Sequence, residues 1–169
     1  MSALTVLARF ASGVRVGGDR ASLGLGVLDA GEGTAPATLL YGIDLRAHRR
    51  GRWLRRALRE RVVLLREELA DGPDYRRVVA FAVVSGPREA AYARAHLEAG
   101  ADLLHQAVER HRGHTFCLAV VITHCPLSAD LLRTSLCDEA ITMPEGAGAV
   151  TWPEVERVGL RRALVDAHL

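Results

Sequence analysis

The chain has 169 residues, a formal net charge of +2 and an isoelectric point near 8.6. Hydrophobic residues make up 49% and charged residues 25% of the chain, a balance that excludes a mainly disordered protein and a small disulfide-stapled one. All 22 basic side chains are arginine, a bias typical of high-GC bacterial genomes such as those of actinobacteria. With so small a net charge, nucleic acid is not an expected partner.

No apolar run approaches the roughly 20 residues of a membrane helix, and no signal peptide is recognisable. We therefore expect a cytoplasmic protein with no membrane partner. The three cysteines suggest reduced thiols rather than a disulfide framework. No linker or low-complexity tract divides the chain, which predicts one domain over residues 1–169. A small molecule is the expected partner, and the sequence leaves a homo-oligomer open.

The first 45 residues are predicted to form antiparallel strands. Apolar and β-branched residues dominate segments 4–10, 23–28 and 37–45. The alternating residues 14–16 are followed by Gly17-Gly18-Asp19, which indicates a turn. These features predict three early antiparallel strands in a mixed sheet.

The pattern then changes to helices that alternate with buried strands. Apolar spacing of three and four predicts a helix over 54–69, and continuous apolar runs predict central strands over 78–84 and 116–122. A helix is predicted from Pro87 to about Val108, with Gly100 as a candidate break. A short helix over 129–137, a late strand over 139–143 and a final helix to about residue 167, capped by Thr151 and Glu154, complete the order. This order predicts an α/β fold, with right-handed crossovers joining the later strands and helices packed on the mixed sheet.

Residues 41–58, YGIDLRAHRRGRWLRRAL, form a predicted strand, a basic turn and a helix start. Amide groups at such a helix start can hold an anion. The segment resembles the core of the GNAT-type N-acyltransferases, and the resemblance extends over roughly residues 14–100. It implies acyl-CoA as the cofactor and Tyr92 as a general acid. It also implies a set of residues that hold the cofactor: His48, Arg49, Arg50, Gly51, Arg52 and Ser85.

The same residues allow two other interpretations. Segment 51–69 is also explained as an amphipathic helix with a solvated arginine face. Trp53 and Arg55 stand where the acyltransferases have glycines. The order of elements also resembles that of ribonuclease-H-like nucleases, but segments 4–10 and 78–84 lack the carboxylates that would hold metals. That resemblance implies a non-catalytic interaction protein, or one associated with nucleic acid.

His124 and Cys125 follow the predicted strand 116–122, where α/β sheets present ligand-binding and catalytic side chains. We therefore include both as candidate catalytic residues. The favoured interpretation of Cys125, however, is an inert cysteine buried in the core. His111, His114 and Cys117 lack the paired spacing of structural zinc sites, so no metal is predicted.

Overall fold

The computed structural model of the chain describes residues 14–19, 38–49, 51–125 and 145–167. Within these ranges five strands form one sheet: β1 (Val14–Gly18), β2 (Thr38–Asp44), β3 (Arg77–Val83), β4 (Cys117–Thr123) and β5 (Gly146–Thr151). Four helices occupy the same ranges: α1 (Gly51–Asp71), α2 (Pro87–Arg112), α3 (Trp152–Val158) and α4 (Leu160–Ala167).

The strands lie side by side in chain order, and every pair is parallel. The expectation of three early antiparallel strands in a mixed sheet is therefore wrong, although the α/β class is confirmed. Gly17-Gly18-Asp19 does not turn the chain into a hairpin. Gly18 has φ 69°, and the Asp19 N–H donates to the Gly42 carbonyl at 2.9 Å, which extends the parallel pairing. Residues 20–37 join β1 to β2, and these 18 residues exceed the minimum of about a dozen that a parallel crossover needs.

Side chains of the central strands alternate between two apolar layers. In β3, Val78, Ala80 and Ala82 belong to the layer that contains α1 and α2, whereas Val79 and Phe81 belong to the layer that contains α3 and α4. Both faces of the sheet are thus covered, which explains why β3 and β4 are nearly continuous apolar runs.

The two long helices match their predicted positions. The buried side of α1 consists of Leu54, Ala57, Leu58, Leu65 and Leu69. Gly100 does not interrupt α2, because the apolar face continues through Ala101 and Leu104 and the Gly100 position has open space around it. The helix ends instead at Gly113, which adopts the left-handed conformation with φ 73°.

The C-terminal part differs from the prediction in two respects. Strand β5 was not predicted, because its Gly-Ala-Gly-Ala start has weak strand propensity. The final helix is divided into α3 and α4 by Gly159, whose φ of 82° is favourable only for glycine. The predicted segments 4–10, 23–28, 129–137 and 139–143 lie outside the described residues. No helix among the described residues is both long and apolar enough to cross a bilayer.

Candidate functional site

The carboxyl ends of β2, β3 and β4 meet at one edge of the sheet. Their alignment continues for one step beyond the strands, because Leu45 N–H donates to the Val83 carbonyl at 2.8 Å and Val84 N–H donates to the Thr123 carbonyl at 2.9 Å. The basic turn after β2, Ser85 after β3 and His124-Cys125 after β4 therefore follow neighbouring strands at the same edge. Open α/β sheets bind ligands at this edge.

A basic cavity of about 630 Å³ lies against the N-terminal half of α1. We call it the arginine groove, and it is lined by Gly51, Arg52, Arg55, Arg56, Arg59, Glu60 and Tyr92. Three candidates from the sequence, Gly51, Arg52 and Tyr92, are thus brought together. A Cβ atom at position 51 would be 3.9 Å from the Tyr92 hydroxyl, so this hydroxyl lies beside the first residue of the helix.

Tyr92 is held in place by its neighbours in α2. Its partly buried ring packs against the core, and it stacks on the His96 ring with centroids 4.3 Å apart and planes inclined by 28°. His96 Nδ1 lies 3.1 Å from the Tyr92 carbonyl oxygen, which fixes the second ring as well. The Tyr92 ring is thus fixed, and its hydroxyl lies at a cluster of arginines. Such a hydroxyl can position a ligand by donating a hydrogen bond to it or accepting one from it.

Two arginines near the groove are neutralised by carboxylates. Arg46 donates through Nε and Nη2 to the two carboxylate oxygens of Asp44, at 3.0 and 2.6 Å. These hydrogen bonds lower the pKa of Asp44. Arg61 Nη1 lies 3.2 Å from Asp19 Oδ1, and the other oxygen of Asp19 accepts the Asp44 N–H at 2.9 Å. Asp44 and Asp19 thereby compensate the charges of Arg46 and Arg61.

The arginines of the groove are mostly not neutralised. Arg56 Nε donates to Glu60 at 2.8 Å, and the Arg52 guanidinium lies over the Trp53 ring, 5.1 Å from its centroid. Within the ranges that the structure describes, no carboxylate pairs with Arg49, Arg52, Arg55 or Arg59. The sequence analysis did not assign Arg55, Arg56 or Arg59 to a site. Arg55, Arg56 and Arg59 follow Arg52 at spacings of three, four and seven, which would have placed all four on one helix face.

The other candidates for holding a cofactor lie around this edge. His48 belongs to the turn after β2, where its N–H donates to the Leu45 carbonyl at 2.9 Å. Arg49 is exposed, and Arg50 lies outside the described residues. Ser85 Oγ is buried and has no hydrogen-bond partner among the described residues. His48, Arg49 and Ser85 are not among the residues that line the arginine groove.

His124 and Cys125 are both exposed, so the prediction of a buried Cys125 is wrong. The chain turns outward directly after β4, where Thr123 Oγ1 accepts the Cys125 N–H at 3.1 Å. Neither residue is in the lining of the groove, so the structure does not bring them to Tyr92. Cys117 is the buried thiol, and burial raises its pKa to about 11.

A larger cavity of about 820 Å³ lies beside β1 and the C-terminal half of α1. Its two arginines are compensated by carboxylates: Arg15 Nη2 lies 3.2 Å from Glu68, and Arg61 lies at the same distance from Asp19. Burial is the main cause that raises the pKa of Tyr41, which lines this cavity. We therefore prefer the smaller arginine groove as the candidate site, because three of its four arginines, Arg52, Arg55 and Arg59, have no carboxylate partner in the described part of the chain.

In the same part of the chain, no group of three or more His, Cys, Asp or Glu side chains could hold a metal ion. Family models, curated proteins and solved structures contain no match to this chain. A function is therefore inferred from the charge and geometry of the groove itself.

Proposed function

We propose that the chain binds a small molecule with phosphate groups in the arginine groove. The observation that carries this proposal is that Arg52, Arg55 and Arg59, which have no carboxylate partner among the described residues, line one cavity together with Tyr92. Guanidinium groups match phosphate oxygens in geometry and charge. The first turn of α1, which begins beside this cavity, contains no acidic residue.

The energetics of α1 support an anionic ligand. Arg52 and Arg56, like Arg55 and Arg59, have the same charge at positions four apart, and like charges so placed on a helix repel each other. Cations near a helix N-terminus also oppose the helix dipole. A bound phosphate offsets both costs, because its negative charge lies between the arginines and near the positive end of the helix.

Acyl-CoA is one ligand of this class, and the resemblance to N-acyltransferases favours it. Its pyrophosphate would contact the groove, and transfer chemistry would use Tyr92 as the general acid. The strands β2 and β3 pair without a gap as far as Asp44 and Val83, so the sheet has no opening between them. An acyl-CoA would therefore lie along the helices rather than between these strands.

Thermal unfolding with added ligands tests the proposal. Sodium pyrophosphate and acetyl-CoA at millimolar concentration should each raise Tm relative to sodium sulfate of equal ionic strength, since a ligand that binds only the native state stabilises it. The variant Arg52→Gln should lose most of this shift, whereas the exposed Arg161→Gln in α4 should retain it. The absence of a pyrophosphate shift, or an equal shift in Arg52→Gln, would refute the proposed site.

The acetyl-CoA arm separates the ligand classes. A larger shift than that of pyrophosphate at equal concentration supports acyl-CoA, because the remainder of the cofactor then contributes binding. No shift with acetyl-CoA removes this ligand while the phosphate site remains. A non-catalytic interaction protein is the second candidate function, and the exposed side of α1 favours it because half-exposed apolar side chains, Val63 and Leu64, lie there.

A further inference from the structure

The arginine groove continues into a second cavity along α1. This cavity is shallow, has a volume of about 400 Å³ and is lined by Arg59, Glu60, Val63, Leu64 and Glu67. We call it the apolar cavity. It shares Arg59 and Glu60 with the arginine groove, so the two cavities adjoin. A ligand held by the arginines can therefore extend onto this second surface and stay in contact with the helix.

Two apolar side chains line the apolar cavity. Val63 and Leu64 retain 46% and 44% of their accessible surface, although both lie in the middle of a long helix. Single apolar residues are common on protein surfaces, but apolar surface beside a few convergent polar groups is the usual composition of a small-molecule site. The two cavities together have this composition, with the polar groups at one end.

The charges along α1 determine which end of a ligand lies where. The arginine groove has four arginines and one glutamate, and this glutamate, Glu60, is paired with Arg56 at 2.8 Å. Beyond Leu64 the exposed charged residues of the helix are one arginine and two acids: Arg66, Glu67 and Asp71. A ligand with phosphates along its whole length, such as polyphosphate or a nucleic-acid strand, would be repelled by these acids if it followed the helix. The phosphate therefore belongs at the arginine end, and an uncharged part of the ligand lies beyond it.

We infer that the ligand of the arginine groove is a phosphate ester with a short apolar chain, and that this chain lies across Val63 and Leu64. The inference rests on the proposed function, because the arginines must hold the phosphate for the chain to reach the apolar cavity. Arg59 and Val63 are four residues apart, about 6 Å along the helix axis, so a chain the length of a hexyl group extends from one to the other. Contact with Val63 and Leu64 then removes apolar surface of both partners from water.

A free ligand fits this surface better than a phospholipid in a membrane. An anionic membrane presents a broad layer of negative charge, and it would repel Glu67 and Asp71, which are exposed on the same helix. A single soluble molecule places its phosphate at Arg55 and Arg59 and avoids both acids.

Alkyl phosphates of increasing length test the inference on the full chain. Isothermal titration calorimetry at fixed ionic strength gives the Kd values of methyl, butyl and hexyl phosphate, which have the same charge. A partly buried methylene group should tighten binding about 1.5- to 2-fold, so hexyl phosphate should bind about tenfold more tightly than methyl phosphate. If all three bind equally, the inference is wrong.

Substitution of the apolar side chains shows where the alkyl chain lies. Val63→Gln and Leu64→Gln should each reduce the advantage of hexyl over methyl phosphate about threefold or more and leave the Kd of methyl phosphate unchanged. The matched control Leu103→Gln, at a 67% exposed position of α2 outside both cavities, should behave like the wild type. An unchanged advantage in Val63→Gln and Leu64→Gln, or an equal reduction in Leu103→Gln, would overturn the inference.

Arg59 lines both cavities, and we expect it to bind the phosphate rather than the chain. Arg59→Gln should therefore weaken methyl and hexyl phosphate by the same factor, about tenfold, and leave the ratio of their Kd values unchanged. A loss confined to hexyl phosphate would contradict the placement of the phosphate at the arginine end.

Vesicles distinguish a free ligand from a membrane lipid. The protein should remain in the supernatant when phosphatidylcholine vesicles with about 20% phosphatidic acid are sedimented at physiological salt. Sedimentation of the protein with these vesicles would overturn the assignment of this surface to a free ligand.

The failure of this inference is distinguishable from the failure of the proposed function. If neither pyrophosphate nor methyl phosphate binds, the proposed function is wrong, and the inference that rests on it is wrong as well. If both bind and hexyl phosphate gains nothing, the phosphate site remains and the apolar chain alone is refuted.

Discussion

Arg94 in α2 and Glu154 in α3 join the two helical layers of the protein across the carboxyl edge of the sheet. Arg94 Nη1 donates to Glu154 Oε1 at 2.5 Å. The other carboxylate oxygen accepts the Thr151 N–H at 2.7 Å and its hydroxyl at 2.8 Å, which caps α3. Burial acts to raise the pKa of Glu154, but the hydrogen bonds from Thr151 and Arg94 outweigh it and lower the pKa.

Replacing Glu154 by glutamine should therefore destabilise the native state at neutral pH. We expect a loss of about 1–2 kcal/mol in the free energy of unfolding, from the weakened cap and the lost ion pair. Urea denaturation followed by circular dichroism measures it. Glu156→Gln, an exposed position in the same helix, is the control and should change stability by less than about 0.5 kcal/mol. Equal losses in the two variants would contradict the role of Glu154.

The same carboxylate predicts a pH dependence. Because folding lowers the pKa of Glu154 below its ordinary value of 4.5, its contribution is fully present above that value and is lost as the pH falls through the lowered pKa. The difference in unfolding free energy between wild type and Glu154→Gln should be constant from pH 6 to 8, within about 0.3 kcal/mol, and should decrease at acidic pH. A difference that persists undiminished at pH 3 would show that the charge of Glu154 does not contribute.

Arg112 at the end of α2 should be important for stability. Its side chain, 9% exposed, donates through Nη1 to the Pro73 carbonyl at 2.7 Å and through Nη2 to the carbonyls of Ala70 and Gly72, at the C-terminal end of α1. Arg112→Met leaves these partly buried acceptors without their donor and should cost about 2–3 kcal/mol in unfolding free energy.

Two further variants distinguish the loss of the hydrogen bonds from Arg112 to the end of α1 from a simple loss of charge. Arg112→Lys keeps the charge but lacks the planar fork, so we expect it to recover less than about half of the loss. Arg110→Met removes an exposed guanidinium that, among the described residues, bonds to the Gln106 carbonyl alone, and it should be nearly neutral. If Arg112→Met were as stable as Arg110→Met, the hydrogen bonds from Arg112 to the end of α1 would contribute nothing to stability.

The cysteines should differ in reactivity. Cys125 is exposed and should react with iodoacetamide in the native protein, whereas Cys117 is buried, with a pKa raised to about 11, and should react only after unfolding. The protein is labelled with and without urea, and mass spectrometry of its peptides then measures the labelling of Cys125 and of Cys117 in each sample. Native labelling of Cys117 at a rate comparable to that of Cys125 would contradict the burial of β4.

The eight arginines between Arg46 and Arg61 should not make the protein a strong nucleic-acid binder. Acids compensate Arg46, Arg56 and Arg61, and the net charge of the chain is only +2. Fluorescence anisotropy with duplex DNA should detect no complex tighter than micromolar at physiological salt, and the weak binding at low salt should fall steeply as salt rises. A nanomolar complex at physiological salt would reverse this prediction.

The sequence was sufficient to locate the elements that bury apolar residues with a clear period. The period of α1 and the apolar runs of β3 and β4 predict elements within a few residues of their observed positions. Strand direction was not predictable in the same way, because an apolar run has the same composition whichever way the strand points. A turn sequence such as Gly17-Gly18-Asp19 indicates a bend in the chain but not which strand the chain pairs with next.

The candidate site was predictable only in part. The strand, basic turn and helix start at residues 41–58 led to Gly51, Arg52 and, through the family resemblance, Tyr92, which the structure places together. The sequence does not state which arginines are neutralised. That depends on partners such as Asp19, which reaches Arg61 only because β1 lies beside β2.

The order of the strands has a consequence for how the protein is made. Each strand pairs with the strand that precedes it in the chain, so the sheet can grow in the direction of synthesis without waiting for a distant segment. The units β2–α1–β3 and β3–α2–β4 need no residue of β5 for their own pairing, so each can form before β5 has been made. Among the described residues, Phe81 and Val121 pack in one cluster with side chains of α3 and α4, so this part of the core lacks that cover, and the nascent chain is prone to aggregation, until these two helices have been made.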